Sequence, residues 1–90
     1  MHEVDLVSAA LLQAIDAANR AGAHGISRLT FGLRSEGHLT SETVRMLASA
    51  LGRGTPAEDA RVDCEIMPDM HGQPELALLS VDVSISDREG

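Results

Sequence analysis

The sequence has almost no aromatic residues: Phe31 is the only one among 90 residues, and Trp and Tyr are absent. Aliphatic residues and Met must therefore fill the core. A chain of this length forms at most one domain and buries only about 60–65% of its unfolded surface. We expect a marginally stable domain, residues 1–90, that gains stability from a partner or as a homo-oligomer.

Lysine is also absent, and seven arginines stand against 14 acidic residues, which gives a formal net charge of −7. Without a basic patch the chain has nothing to displace counterions from nucleic acid or to hold an anionic membrane surface. The charge favours a cation or a basic protein surface as the partner.

Cysteine and long apolar runs are scarce as well. Cys64 is the only cysteine, which excludes an internal disulfide and a multi-cysteine zinc site. The first six residues lack the basic region of a signal peptide, and no apolar run approaches about 18 residues. We therefore expect a soluble, cytoplasmic protein.

Apolar residues at helical spacing predict two helices. The first runs from about Asp5 to Ala21, and glycines follow it at positions 22 and 25. The second is capped by Thr40 or Ser41 and ends at Gly52. Its predicted buried stripe consists of Val44, Leu47, Ala48 and Leu51.

Alternating apolar and polar residues predict three strands. They cover Ile26 to Arg34, Arg61 to Met67, and a last segment after Pro74. The predicted apolar faces are Leu29, Phe31 and Leu33, then Val62, Cys64 and Ile66, and finally Leu79, Val81, Val83 and Ile85.

The order helix, strand, helix, strand, strand predicts an α+β fold of two layers, also described as α/β two-layer. A small three-stranded mixed sheet carries two helices on one face and leaves its other face open. The last two strands, joined by about seven residues, are expected to run antiparallel.

The N-terminal residues Met1, His2 and Glu3 form a candidate metal site. The large side chain of His2 should leave the initiator Met in place. The Met1 amine, the His2 amide nitrogen and one imidazole nitrogen then close a five- and a six-membered ring around one ion. Three coplanar nitrogens suit square-planar Ni(II) or Cu(II) rather than tetrahedral Zn(II), and binding should depend on pH. Glu3 offers its carboxylate or amide, whereas the plain alternative is a solvated terminus.

Several short motifs then occur in a specific order from residue 1. The chain opens Met-His-Glu-Val-Asp-Leu, carries Gly-Thr-Pro-Ala-Glu-Asp-Ala at 54–60 and Val-Asp-Cys-Glu-Ile-Met-Pro at 62–68, and continues with Gly-Gln-Pro-Glu-Leu at 72–76 and Ser-Val-Asp-Val at 80–83. Together with Ala-Gly-Ala at 21–23 and residues 26–32, this order resembles the HypA/HybF hydrogenase nickel-incorporation family.

The chain departs from the family pattern in several places. The family's zinc domain, normally two Cys-x-x-Cys pairs, is missing, and a short loop near residues 68–74 takes its place, so no structural zinc is expected. Asp5 replaces a Ser and Asp59 a Gly; residues 35–42 are about two residues longer than the pattern. Ser41 replaces a Pro, and Met46 replaces an aromatic residue.

The resemblance implies a nickel metallochaperone for [NiFe]-hydrogenase maturation, not an enzyme. Its expected partners are the hydrogenase large subunit or a maturation GTPase, and its cargo is Ni(II). Only Met1, His2 and Glu3 carry over as metal ligands. The alternative is a metal-independent interaction module or accessory subunit of a hydrogenase complex that keeps the HypA-like fold.

The other reactive side chains support plainer interpretations. His24 is predicted at the surface, and His38 in its loop is a remote candidate for the N-terminal site. The Met67–His71 segment has the soft ligands of a Cu(I) site but is interpreted as a replacement loop with a packed Met67. Cys64 is predicted to be a buried core thiol. The remaining charges on the strands are interpreted as solvated: Asp63, Glu65 and Asp82.

Overall fold

A computed structural model describes residues 2–68 and 72–85, with the backbone but not the side chain of His2. The elements are α1 (His2–Arg20), β1 (Gly25–Arg34), α2 (Ser41–Leu51), β2 (Arg61–Met67) and β3 (Leu76–Ser84). They form a three-stranded mixed sheet and two helices, so the predicted fold class and element order are confirmed.

Helix α1 begins at His2, three residues before the predicted start. Glu3 and Asp5 lie in its first turn, where carboxylates stabilise the positive end of the helix dipole. At the other end the Ala23 amide donates to the Ala18 carbonyl at 3.0 Å, and Gly22 adopts a φ of 73°. This pattern is a Schellman motif, which ends the helix and turns the chain towards β1.

Helix α2 is capped as predicted. The Thr40 hydroxyl accepts a hydrogen bond from the Thr43 amide at 3.1 Å, and the Gly52 amide donates to the Ala48 carbonyl at 2.9 Å. Val44 and Ala48 are buried and Leu47 is partly buried, but Leu51 is 37% exposed. The prediction for Leu51 was wrong because it is the last residue of the helix, where the chain already turns away.

The strand order is β2-β1-β3, with β1 parallel to β2 and antiparallel to β3. Strands β2 and β3 do run in opposite directions, but they lie at opposite edges of the sheet. The predicted antiparallel direction of these two strands is therefore confirmed, although they do not pair with each other. Strand β1 takes the centre, and its Leu29, Phe31 and Leu33 are all 0–1% exposed there.

A register shift modifies the alternation of β3. Thr30 pairs with Ser80 while the next residue, Phe31, pairs with Leu78, so Leu79 is an extra residue on this strand. Leu78 and Val81 pack against the core on either side of it, whereas Leu79 is 45% exposed. The predicted inward face was wrong for Leu79 because a bulge reverses the phase of the side chains.

Two strand ends also depart from the predicted apolar faces. Ile66 is 66% exposed and Ile85 is 57% exposed, although both follow the alternation of their strands. Val62 and Cys64 are partly buried against the core, so the predicted apolar face of β2 is confirmed only for the first part of the strand. Among the described residues, no helix is long and apolar enough to cross a membrane.

Candidate metal centre at the N-terminus

Two of the three predicted metal ligands, His2 and Glu3, lie in the first turn of α1. Met1 lies outside the described residues, His2 is the first residue of the helix, and Glu3 is partly buried. The first four amides of an α-helix have no acceptor within the helix. The amide nitrogens of His2 and Glu3 are therefore available to a metal without loss of a helical hydrogen bond.

The electrostatics of this turn have two opposing parts. The positive end of the helix dipole disfavours a cation at the N-terminus. The carboxylates of Glu3 and Asp5, both in the first turn, oppose that effect. The two carboxylates therefore reduce the positive potential at the start of α1.

Helix α1 and strand β1 are joined by a short turn and pack in opposite directions. Residues 21–24 connect α1 directly to β1, and the apolar face of α1 from Val7 to Ala18 is buried in the core. A 19-residue helix is about 28 Å long and a ten-residue strand about 33 Å. Because α1 folds back over the sheet, it runs from its first turn in the direction opposite to β1.

The loop of residues 35–40 is held in place by Glu75. Its Oε2 atom accepts hydrogen bonds from the backbone amides of His38, at 2.6 Å, and Leu39, at 3.3 Å. The Glu75 carbonyl accepts from the Arg34 amide at 3.0 Å, and Arg34 Nη1 donates to the Gln73 carbonyl at 3.0 Å. Residues 72–75 and the loop before α2 are thus fixed to each other and to the end of β1.

His24 lies elsewhere, as predicted at the surface. It is exposed and lines a cleft of about 300 Å³ that also includes Glu58, Asp59 and Ser84. This cleft lies beside the start of β1, at the opposite end of the sheet from residues 35–40. The structure therefore separates His24 from the candidate centre.

The remaining soft-ligand candidate is only partly described. Met67 is partly buried, in agreement with the predicted packing, whereas Met70 and His71 lie outside the described residues. Within residues 2–68 and 72–85, no group of three or more His, Cys, Asp or Glu side chains is arranged to hold a metal. A side-chain-only site is thus not formed in that part of the chain.

Cys64 is partly rather than fully buried, and its Sγ lies 4.0 Å from the Ser41 carbonyl oxygen. Burial raises the pKa of the thiol, the Arg45 charge lowers it, and the Asp63 charge raises it, with a net rise. A thiol with a raised pKa is a poor nucleophile and a poor thiolate ligand at neutral pH.

Asp63 is not the solvated charge that its position on a polar strand face predicted. Arg28 Nη2 lies 2.6 Å from Asp63 Oδ2, Arg61 Nε lies 3.4 Å from Oδ1, and the Asp63 side chain is only 22% exposed. Desolvation raises the pKa of Asp63, but hydrogen bonds and charge from Arg28 and then Arg61 outweigh it and leave the pKa below its ordinary value. Parallel register brings Arg28 opposite Arg61, which sequence alone did not reveal.

The Glu75 contacts were also absent from the sequence-based prediction. Nothing in the residue pattern marks Glu75 as a bridge, because its partners are backbone amides 36 and 37 residues away. The only local signal is Pro74, which lies two residues before β3 and restricts the backbone where the chain enters that strand.

Comparisons with known proteins add a likeness in fold. No family model matches the chain, and no curated protein matches it. Among solved structures, the chain is similar to the solution structure of the Ni metallochaperone HypA from Helicobacter pylori, with a TM-score of 0.72. The two share 17% sequence identity, and the match covers 93% of this chain and 98% of that one. This domain therefore has a HypA-like fold.

Proposed function

We propose that the protein is a nickel-binding metallochaperone for [NiFe]-hydrogenase maturation, which holds Ni(II) at its N-terminal Met-His. The observation that carries the proposal is the start of α1 at His2, which leaves the chelating amide among the unpaired amides of the first turn. The HypA-like fold supports it, because that neighbour is a nickel metallochaperone.

In the proposed complex three nitrogens bind one nickel ion: the Met1 amine, the His2 amide and a His2 imidazole nitrogen. The Met1 ammonium and the His2 amide each release one proton as their nitrogen bonds to nickel. Glu3 is one candidate for the fourth planar position, and its carboxylate, with that of Asp5, compensates the positive charge.

This chemistry also gives a means of release. Protonation of the amide nitrogen removes its lone pair from the metal, so binding should weaken as the pH falls. A recipient that offers stronger ligands would then take the ion. A metal held through a deprotonated amide is thus a cargo that can be transferred rather than a permanent structural ion.

The proposal extends to partners and place. A chain with a net charge of −7 fits a basic surface on the hydrogenase large subunit or on a maturation GTPase, in the cytoplasm. With a single cysteine, the chain is proposed to work without structural zinc. We propose no enzymatic activity for it.

The deciding experiment is a Ni(II) titration of untagged protein with a verified Met1 amine. We expect one equivalent to give the absorption of a diamagnetic square-planar complex. His2→Ala and a variant extended by two residues before Met1 should both lose it, because the first removes the imidazole and the second converts the Met1 amine into a peptide amide. His24→Ala is the matched control and should bind normally.

Unchanged binding by His2→Ala or by the extended protein would contradict the proposal. If a hydrogenase component co-purified with the protein after chelation and with His2→Ala, the metal-independent interaction module would take its place.

A further inference from the structure

We infer that the outer edge of β2 is an interface and that its occupant is β2 of a second copy of this chain, running antiparallel to the first. The unpaired backbone groups at the edge of a sheet pair readily with another strand. Among the described residues, β2 pairs with β1 on one side and with no strand on the other. The inference involves no residue of the proposed nickel site and does not depend on that site.

Every second residue of β2 directs its backbone groups outward. The Arg34 amide donates to the Glu75 carbonyl at 3.0 Å, on the side of β3, so the neighbouring Leu33 directs its backbone groups towards β2. In a parallel ladder, the register partner of such a residue directs its own groups away. The partner of Leu33 is Ile66, and the register is unbroken along β2. The outward residues are therefore Val62, Cys64 and Ile66.

The side chain of Arg45 agrees with this direction. Its Nε atom donates to the Val62 carbonyl at 3.2 Å from α2, so that carbonyl is reached from outside the sheet. The contact is exposed, and a second strand displaces it at small cost because a single hydrogen bond contributes little net free energy. Within the described residues, no side chain hydrogen-bonds to the outward amides of Cys64 and Ile66.

The opposite edge of the sheet is less suited to pairing. Strand β3 carries the bulge at Leu79, which interrupts its ladder, and bulges protect edge strands from unwanted partners. Strand β2 has no bulge in its seven residues and no proline among them. It is therefore the regular edge of this sheet.

The charges beside β2 favour a second copy of the same strand. The whole chain has a net charge of −7, so two copies repel each other except where their charges balance. The open face of β2 is such a place, because it carries Arg61, Asp63 and Glu65, and Arg28 of β1 is bonded to Asp63. These four side chains have no net charge, and they alternate in sign along the edge.

Charge complementarity selects one register. A twofold axis at Asp63 places Arg61 of each copy opposite Glu65 of the other, with their Cβ atoms about 5 Å apart. An axis at Cys64 would place Asp63 opposite Glu65 twice, and an axis at Glu65 would place the two Glu65 side chains face to face. An axis at Val62 would leave only residues 61–63 in contact. The register centred on Asp63 is therefore the favourable one.

This register also pairs the outward backbone groups. Val62 of each copy faces Cys64 of the other, and each such pair exchanges both of its backbone hydrogen bonds. The two Asp63 side chains meet at the axis, which is unfavourable. Arg28 Nη2, at 2.6 Å, and Arg61 Nε, at 3.4 Å, reduce that repulsion. The expected dimer is weak and reversible, because a single pair of strands gives a small interface.

Sedimentation velocity over a range of protein concentrations, with a chelator present, tests for this dimer. Arg61→Glu and Glu65→Arg should each weaken the wild-type dimer by at least about tenfold, because each places like charges opposite one another at two symmetric positions. The double variant with both changes should restore dimerisation, since opposite charges then face each other again. Circular dichroism checks that all variants remain folded.

Asp16→Arg is the matched control for net charge. It makes the chain less acidic by the same amount as Glu65→Arg, but Asp16 lies on an exposed surface of α1. A general charge effect would strengthen association in both variants. The proposed pairing instead predicts that Glu65→Arg weakens it while Asp16→Arg does not.

A disulfide measures the register. Val62→Cys places a thiol opposite Cys64 of the other copy, with Cα atoms about 5.5 Å apart, which is within the range of a disulfide. In oxidised glutathione this variant should form a covalent dimer on a non-reducing gel. Wild type, with its two Cys64 residues on a diagonal of about 7–8 Å, should not. Val62→Cys combined with Cys64→Ser is the control and should also stay monomeric on the gel.

Each outcome decides the inference. A protein that stays monomeric up to about 1 mM would overturn it and leave the edge to an extended segment of another protein. A dimer that forms only without chelator, that the two charge reversals leave unchanged, or that the double variant does not restore would overturn it as well. All of these results leave nickel binding by His2 untouched, so failure here is distinct from failure of the proposed function.

Discussion

The Sδ atom of Met67 lies 2.6 Å from the position that a Cβ atom would take at Gly32. Met67 ends β2, and Gly32 lies in β1 between Phe31 and Leu33, both of which are buried under the helices. Gly32 therefore faces the open side of the sheet, and Met67 together with Leu79 covers it there. The sheet face that lacks helices thus has a small apolar cover of its own.

Gly32→Ala should lower the free energy of unfolding by about 1 kcal/mol, because the new methyl group displaces Met67 from its contact. In a Met67→Ala background the same change should be neutral or stabilising, since the space is then open and alanine restricts the unfolded chain. Urea denaturation of the four proteins in a double-mutant cycle measures the difference. Equal effects of Gly32→Ala in both backgrounds would show that the two residues do not compete for this space.

Thr40→Ala should lower the free energy of unfolding by about 1 kcal/mol, because the Thr43 amide loses the hydroxyl that accepts its hydrogen. Thr40→Ser keeps that oxygen and should leave the free energy of unfolding close to the wild-type value, because serine caps a helix at least as well as threonine. Thermal denaturation followed by circular dichroism compares the three proteins. If serine is as destabilising as alanine, the cap is not the source of the effect.

The stability of the protein should depend on the ionisation of Asp63. Its pKa is lowered in the folded state, so its contribution is present above the unfolded pKa of about 3.9 and is lost as the pH falls through the folded value. Asp63→Asn should therefore be less stable than wild type at pH 7, and the difference should shrink below about pH 4.

Urea titrations at pH 7 and pH 3 measure this difference. Asp16→Asn is the matched control, because Asp16 pairs with Arg20 on an exposed helix surface, where ion pairs contribute little. A difference between Asp63→Asn and wild type that is the same at both pH values would rule out the ion-pair explanation.

Cys64 should react slowly with a thiol reagent at pH 8 in the folded protein. Its raised pKa keeps the thiolate fraction low, and its partial burial against the core limits access. The rate should rise sharply in denaturant, as followed by the absorbance of the released chromophore. Equal rates in the folded and denatured protein would mean that the Cys64 thiol is neither protected nor perturbed.

The local structure was largely predictable from the sequence. Helical spacing gave α2 with its Thr40 cap and Gly52 end, and alternation gave the bounds of β2, because these features depend on residues within a few positions of each other. The buried face of β1 was predictable for the same reason. The start of α1 was not, because no N-cap residue precedes His2 to mark it.

The pairing of the strands could not be predicted from the sequence. A short link between β2 and β3 predicts that they run antiparallel, but it does not show that β1 lies between them and pairs with both. The bulge at Leu79 and the Arg28–Asp63 ion pair follow from that register and have no local signal. The proposed metal ligands at the N-terminus were named from sequence and remain a prediction.

The sequence by itself determined most residues of each helix and strand, and the proposed chelation by Met1, His2 and Glu3 rests on it, because chelation by adjacent groups needs no tertiary fold. Only the tertiary structure decided that α1 starts at His2, that β1 lies at the centre, and that Glu75 holds the loop of His38. These relationships depend on contacts between residues far apart in the chain, which packing and register select.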